Sequence, residues 1–143
     1  MKQHSELLSL SSKLGFEPKK VDGTITFAGK PALGVCGING LLYTSEKSLV
    51  HEFVHVLQHH ELCWALRTDN GDWCINELPR FASMSFCEVR DWVKSVLPAL
   101  SSIYSTGQLP VEIPALFAEA FYTDEEFLNG LIFLANFALE NDL

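Results

Sequence analysis

The spacing of apolar residues predicts a helix at the N-terminus, followed by a region of short strands. Residues 3–14 place four leucines on one side of a helix, namely Leu7, Leu8, Leu10 and Leu14. Gly15 supplies a typical helix stop. Residues 24–27 alternate in polarity, which predicts a strand, and residues 29–31 predict a turn. Residues 32–36 then predict a second strand that runs back beside the first. The pair Asn39-Gly40 predicts a hairpin into residues 41–43, so we expect a small, mainly antiparallel sheet.

The apolar spacing changes to a helical period over residues 45–60, with Thr44 or Ser45 as the N-cap. Its core-facing stripe consists of Leu49, Val50, Phe53, Val54 and Leu57. After a loop at residues 67–72, we predict a long helix from about Leu78 to Leu97 that Pro98 breaks or kinks.

Two further helices follow in the C-terminal third of the chain. Residues 107–110 read as a linker into a helix that carries Glu112. The segment Thr123-Asp124-Glu125-Glu126 resembles a capping box and starts a last, strongly apolar helix. The chain is therefore predicted to be α+β, with a small antiparallel or mixed sheet packed on the helix at 45–60 and additional C-terminal helices. We expect residues 1–143 to form a single domain.

Composition and charge exclude several classes of function. The net charge is −8, with 10 basic against 18 acidic residues and no basic stripe, which argues against nucleic-acid binding. The apolar stretch at residues 131–139 is too short to cross a bilayer, so no membrane partner is expected. The four cysteines form no CxxC pair, and the first residues lack the apolar core of a secretory signal. We therefore expect a cytoplasmic protein.

The segment His51-Glu52-Phe53-Val54-His55 carries the candidate chemistry. Residues four apart on a helix share a face, so His51 and His55 can direct both imidazoles at one metal ion. Glu52 would lie beside that ion, where it could exchange a proton with a metal-activated water. Both histidines lie at the border of the apolar stripe. A metal ion bound there would have apolar, water-excluding side chains behind it and open space in front.

Catalytic zinc usually has three protein ligands, so one more is required. The extended motif with a third histidine is excluded, because Gln58 and Glu61 stand where it needs glycine and histidine. His59 continues the same helix and is interpreted as a rim residue. Three glutamates then compete for the place, namely Glu77, Glu112 and Glu119. Glu77 and Glu112 each have a proline two positions on, which predicts that each lies at the start of a helix.

The stretch from Leu49 to Gln58 resembles the active-site helix of zincin metallopeptidases. In the gluzincin branch of that superfamily the third ligand is typically the glutamate of an ExxA pattern, and Glu112-Ile113-Pro114-Ala115 fits this pattern. Asn76-Glu77 resembles the Asn-Glu pair of thermolysin-like enzymes, but Arg80 and Phe81 depart from their pattern. We therefore favour Glu112, then Glu77, then Glu119. Cys36 is a minor alternative, because deformylases use an upstream cysteine, although their other signature segments are missing.

The resemblance implies a zincin-like fold whose edge strand can pair with an extended peptide. It also implies a zinc-dependent peptidase with His51, His55 and Glu112 as metal ligands, Glu52 as general base and a peptide or protein as substrate. Tyr43, Tyr104 or Tyr122 could supply a second donor to the reacting carbonyl. The alternative is a catalytically silent, zincin-like domain that binds a metal or a protein partner.

Overall fold

The computed structural model describes residues 1–37, 40–75, 77–78 and 86–142, and within them the chain is α+β. The described residues form five helices, namely α1 (Lys2–Lys13), α2 (Glu46–His59), α3 (Phe86–Ile103), α4 (Leu109–Glu119) and α5 (Glu125–Glu140). They also form seven strands, namely β1 (Glu17–Lys20), β2 (Ile25–Phe27), β3 (Lys30–Ala32), β4 (Gly34–Gly37), β5 (Gly40–Tyr43), β6 (Ala65–Arg67) and β7 (Trp73–Ile75).

The main sheet is mixed, with strand order β1-β5-β4. Strand β4 is antiparallel to β5, and β1 is parallel to β5. The sequence did not predict β1, because its residues Glu-Pro-Lys-Lys are mostly exposed and show no apolar alternation. Strands β2 and β3 form a separate hairpin, so Lys30 and Pro31 belong to a strand rather than to the predicted turn. Asn39 of the predicted hairpin turn lies outside the described residues.

Helix α2 forms the centre of the core, as its apolar stripe predicted. All five stripe residues are at most 1% exposed, namely Leu49, Val50, Phe53, Val54 and Leu57. Ser45 begins the helix by accepting a hydrogen bond from the Ser48 backbone N–H, while the Ser48 hydroxyl accepts one from the Ser45 N–H. This reciprocal cap satisfies two backbone donors that a helix start would otherwise leave unpaired. The helix packs against β4, β5 and most extensively against α4.

The later helices correct two boundaries that were predicted from prolines. Helix α3 continues past Pro98 to Ile103, so Pro98 does not end it. Leu78 is not helical, and residues 79–85 lie outside the described residues. Helix α4 accepts Pro110 in its first turn, where a missing N–H costs no helical hydrogen bond. None of the described helices is long and apolar enough to cross a membrane.

Candidate metal centre

The candidate centre lies between two packed helices, each of which contributes polar groups to it. Helix α2 carries His51 and His55 four residues apart, so both rings lie on one face. Helix α4 carries Glu112 in its first turn and Glu119 as its last residue. These two glutamates are two helical turns apart and also share a face. The packing of α2 on α4 therefore brings two imidazoles and two carboxylates together.

Both histidines direct the same ring nitrogen at Glu112. The Nε2 atom of His55 lies 3.0 Å from Glu112 Oε1, and the Nε2 atom of His51 lies 3.4 Å from Glu112 Oε2. The rings meet edge to face with their centroids 5.1 Å apart. Two imidazole nitrogens and one carboxylate thus converge from two helices, which is the donor set of many catalytic zinc sites.

The opposite nitrogen of His51 is held by the second carboxylate. His51 Nδ1 lies 3.1 Å from Glu119 Oε2, so Nδ1–H donates to Glu119 and Nε2 faces the centre. The sequence ranked Glu119 third among candidate ligands. In the structure it contacts the far side of the His51 ring, which is the position of an orienting group behind a metal ligand.

The opposite nitrogen of His55 is held by Gln58. The Gln58 side-chain NH₂ donates to the backbone carbonyls of Cys63 and Val111, at 3.0 and 2.9 Å. These two acceptors fix the amide orientation and leave Gln58 Oε1 facing His55 Nδ1 at 2.7 Å. An amide oxygen only accepts, so His55 carries its proton on Nδ1 and presents Nε2 to the centre.

Glu52 lies beside the converging nitrogens. Its Oε2 is 3.8 Å from His51 Nε2, and one ligand atom each from His51, Glu52 and His55 all lie within 4.8 Å of one another. This group could hold a metal ion. Burial raises the pKa of the Glu52 carboxyl, and the nearby imidazoles offset the effect only in part. A buried carboxylate with a raised pKa is a better proton acceptor than an exposed one.

The ligand candidates form an ion cluster with strongly displaced proton equilibria. Burial lowers the pKa of His51, but hydrogen bonds to Glu112 and Glu119 outweigh it and raise the pKa to about 10. The pKa of His55 is also raised, because Glu112 overcomes the effect of burial. Burial raises the pKa of Glu112, yet the two histidines hold it well below its usual range. Without a metal, the positive charges of the protonated imidazoles therefore balance the negative charges of the carboxylates.

Glu77, the second candidate for the third ligand, does not join this group. Its side chain accepts a hydrogen bond from the Cys63 backbone N–H at 2.9 Å, and Glu77 lines neither cavity described below. Its φ of 70° is a left-handed conformation, not the helix start that the following proline predicted. The structure therefore brings Glu112 and Glu119 to the histidines and places Glu77 elsewhere.

Two cavities meet at the centre. The larger, of about 520 Å³, has His51, Glu52, Glu112 and Glu119 among its polar lining, and its further walls come from β3, β4, Phe27, Tyr104 and Leu116. The smaller, of about 350 Å³, adds Gln58, His59, Trp64 and Val111. Both are lined by Cys36, His55 and Glu112. A ligand in either cavity would therefore contact the candidate centre.

The remaining sequence candidates occupy different places around these cavities. Of the three tyrosines, Tyr104 lines the larger cavity, whereas Tyr43 and Tyr122 line neither. Burial and the Glu112 carboxylate raise the pKa of Tyr104 to about 12, so its hydroxyl stays a donor. Burial, followed by the Glu52 charge, raises the pKa of Cys36 to about 12, which opposes a thiolate there. His59 lies at the rim, with its ring centroid 5.0 Å from that of Phe16.

Sequence reasoning missed the part played by Gln58. The residue served to exclude the extended histidine motif and to mark the end of the zincin-like stretch, although its position three after His55 was a usable signal. One of its two backbone acceptors, the Val111 carbonyl, lies 53 residues further along the chain, which no local pattern showed. In comparisons with known proteins, the chain matches no family model, no curated protein and no solved structure.

Proposed function

We propose that this protein is a zinc-dependent peptidase of gluzincin-like type. His51, His55 and Glu112 would hold the zinc ion, and Glu52 would act as general base. The observation that carries the proposal is the convergence of both Nε2 atoms on one carboxylate, with distances of 3.4 and 3.0 Å to Glu112. Each ring has its Nδ1 held by a separate acceptor, Glu119 or Gln58, as orienting groups behind zinc ligands do.

The residues divide the reaction between them. Zinc in such a site supplies a Lewis acid that polarises a peptide carbonyl and lowers the pKa of water. Glu52 accepts the proton of the attacking water and passes it to the leaving amine, a task that its burial and raised pKa favour. Tyr104 lines the same cavity and retains its proton, so its hydroxyl is the donor best placed to assist the carbonyl oxygen.

A peptide substrate agrees with the shape of the cleft. Strand β4 is an edge of the main sheet, and residues 33–36 line the larger cavity beside Glu52. Backbone groups on an edge strand can pair with an extended chain. The two cavities that share His55 and Glu112 in their lining would accept substrate side chains before and after the cleaved bond. The substrate class is therefore proposed to be an extended peptide or a flexible protein segment.

The direct test is zinc stoichiometry together with peptide cleavage. Wild-type protein purified without an affinity tag should contain about one zinc per chain by elemental analysis. His51→Ala should lose the metal, Glu112→Gln should bind it weakly, and Glu77→Gln should keep it because Glu77 lies elsewhere. A peptide library analysed by mass spectrometry should show cleavage by the zinc-loaded protein and none by Glu52→Gln. Wild type that takes up no zinc when zinc is supplied would overturn the proposal.

A second candidate function rests on the same cluster without metal. Glu112 accepts from both imidazoles, and His51 also donates to Glu119, so these ion pairs connect α2 to α4 without a metal. The chain would then be a catalytically silent domain that binds a protein partner. The zinc measurement distinguishes these two candidate functions, because a purely structural ion cluster would not bind one zinc per chain.

A further inference from the structure

The Glu52 carboxylate lies against a strand at a place where no side chain intervenes. Gly34 is the first residue of β4 and pairs with Tyr43 of β5. A Cβ atom built on Gly34 would lie 2.7 Å from Glu52 Cγ and 2.9 Å from Glu52 Oε2. Real Cβ atoms essentially never approach other heavy atoms below 3.0 Å. Any side chain at position 34 would therefore compete with Glu52 for space.

We propose that Gly34 is a positioning residue, whose missing side chain lets Glu52 place its carboxylate beside the two histidines. Its role in catalysis rests on the proposed function, whereas its effect on the place of Glu52 does not. Glu52 is only 6% exposed, and its carboxylate forms an ion pair with His51 Nε2 at 3.8 Å, which is too long for a hydrogen bond. Packing against Gly34 of β4 therefore helps to set the place of the carboxylate.

The contacted atoms belong to a side chain and not to the backbone. Strand β4 is anchored by its pairing with β5 over four residues, whereas the Glu52 side chain can rotate. Alanine at position 34 would therefore displace the carboxylate rather than the strand. To reach an ordinary separation of 3.4 Å from Cβ, Glu52 Cγ must move by roughly 0.7 Å. A general base displaced by that distance loses its alignment with the attacking water.

The same strand offers a matched control. Gly37 also belongs to β4, and a Cβ atom built there meets nothing within 4 Å. Gly37→Ala therefore repeats the same chemical change on the same strand without touching Glu52. Any difference between the two alanine variants comes from the contact with Glu52 and not from the loss of a glycine in β4.

The test compares crystal structures, zinc content and kinetics of Gly34→Ala and Gly37→Ala. We expect about one zinc per chain in both, because His51, His55 and Glu112 are untouched. The Glu52 carboxylate should be displaced in Gly34→Ala alone. On a peptide that the wild type cleaves, Gly34→Ala should lower kcat by roughly 10²-fold or more with KM nearly unchanged. Gly37→Ala should keep the wild-type kcat.

The outcomes separate this inference from the proposed function. A carboxylate that stays in place, or a Gly34→Ala variant with wild-type kcat, overturns the positioning role. A displaced carboxylate in Gly34→Ala, together with a wild type that cleaves no peptide, supports the positioning role and counts against the peptidase. If Gly34→Ala does not fold, the double variant Gly34→Ala/Glu52→Ala should fold, since it removes the contacted atoms. Its failure to fold would also overturn the inference.

Discussion

The Nδ1 atom of His55 lies 2.7 Å from Oε1 of Gln58, and this contact connects the candidate centre to the packing of the fold. Gln58 is buried and donates to carbonyls of the loop after α2 and of α4. The orientation of one imidazole therefore depends on where α4 and that loop lie. Metal binding and the docking of α4 should for that reason be thermodynamically coupled.

Replacing Gln58 should weaken both zinc binding and the fold. Gln58→Leu leaves the carbonyls of Cys63 and Val111 without their donor, at an expected cost of about 1–3 kcal/mol in the free energy of unfolding. It also releases the His55 ring, which should raise the zinc Kd by about 10–100-fold. Gln58→Glu keeps an acceptor for His55 and should recover part of the affinity without recovering the stability. Urea denaturation and chelator competition measure the two effects, and equal affinities in both variants would contradict this account.

Glu119 should behave as an orienting group and not as a ligand. Glu119→Gln weakens the acceptor for His51 Nδ1–H, so we expect the zinc Kd to rise by about tenfold while stoichiometry stays at one. Glu112→Gln should have a much larger effect, because Glu112 is the proposed third ligand. Glu6→Gln removes the same charge from an exposed position on α1 and serves as the control. An effect of Glu119→Gln as large as that of Glu112→Gln would mean that Glu119 coordinates the metal.

Glu52 should be required for turnover and not for metal binding. Glu52→Gln retains the size of the side chain but removes the proton acceptor, so kcat should fall by about 10²–10⁴-fold. The zinc Kd should change only a few-fold, since the two histidines and Glu112 remain. Parallel kinetics and metal titrations check both values. Zinc loss in Glu52→Gln would instead make Glu52 a ligand.

The metal-free protein should lose stability as the pH rises. The pKa of His51 is raised from 6.5 to about 10, so its contribution is complete below pH 6.5 and is lost as the pH rises toward 10. The pKa of Glu112 is lowered, so its contribution is complete above 4.5 and is lost as the pH falls further. Denaturation in a chelator should therefore show the full contribution of the His51–Glu112 ion pair between pH 4.5 and 6.5.

Zinc affinity should have the opposite pH dependence. Zinc must displace a proton from His51 Nε2, so the zinc Kd should fall by about tenfold per pH unit over the range from 6.5 to 10. Isothermal titration in buffers of different ionisation enthalpy would count the protons released. A zinc Kd independent of pH across this range would show that the metal does not bind at these imidazoles.

Local sequence predicted those features that depend on neighbours along the chain. The apolar stripe of α2, the Ser45 cap and the shared face of His51 and His55 all follow from helical spacing, and the structure has each of them. Predictions from proline were less successful, because Pro98 lies inside α3 and Glu77 does not begin a helix. A proline weakens a helix locally, but packing on both sides of it can compensate.

The sequence by itself determined a helix that carries two histidines and a glutamate on one edge. It also supplied three candidate glutamates for the third ligand, which the resemblance to gluzincins ranked as Glu112, Glu77 and Glu119. Only the tertiary structure decided among them, because the packing of α2 on α4 brings Glu112 between the rings and Glu119 behind one of them. The same packing gave Gln58 its acceptor at Val111, and the approach of β4 to α2 gave Gly34 its contact with Glu52. These contacts join residues far apart in the chain, and their geometry depends on the whole fold rather than on any local pattern.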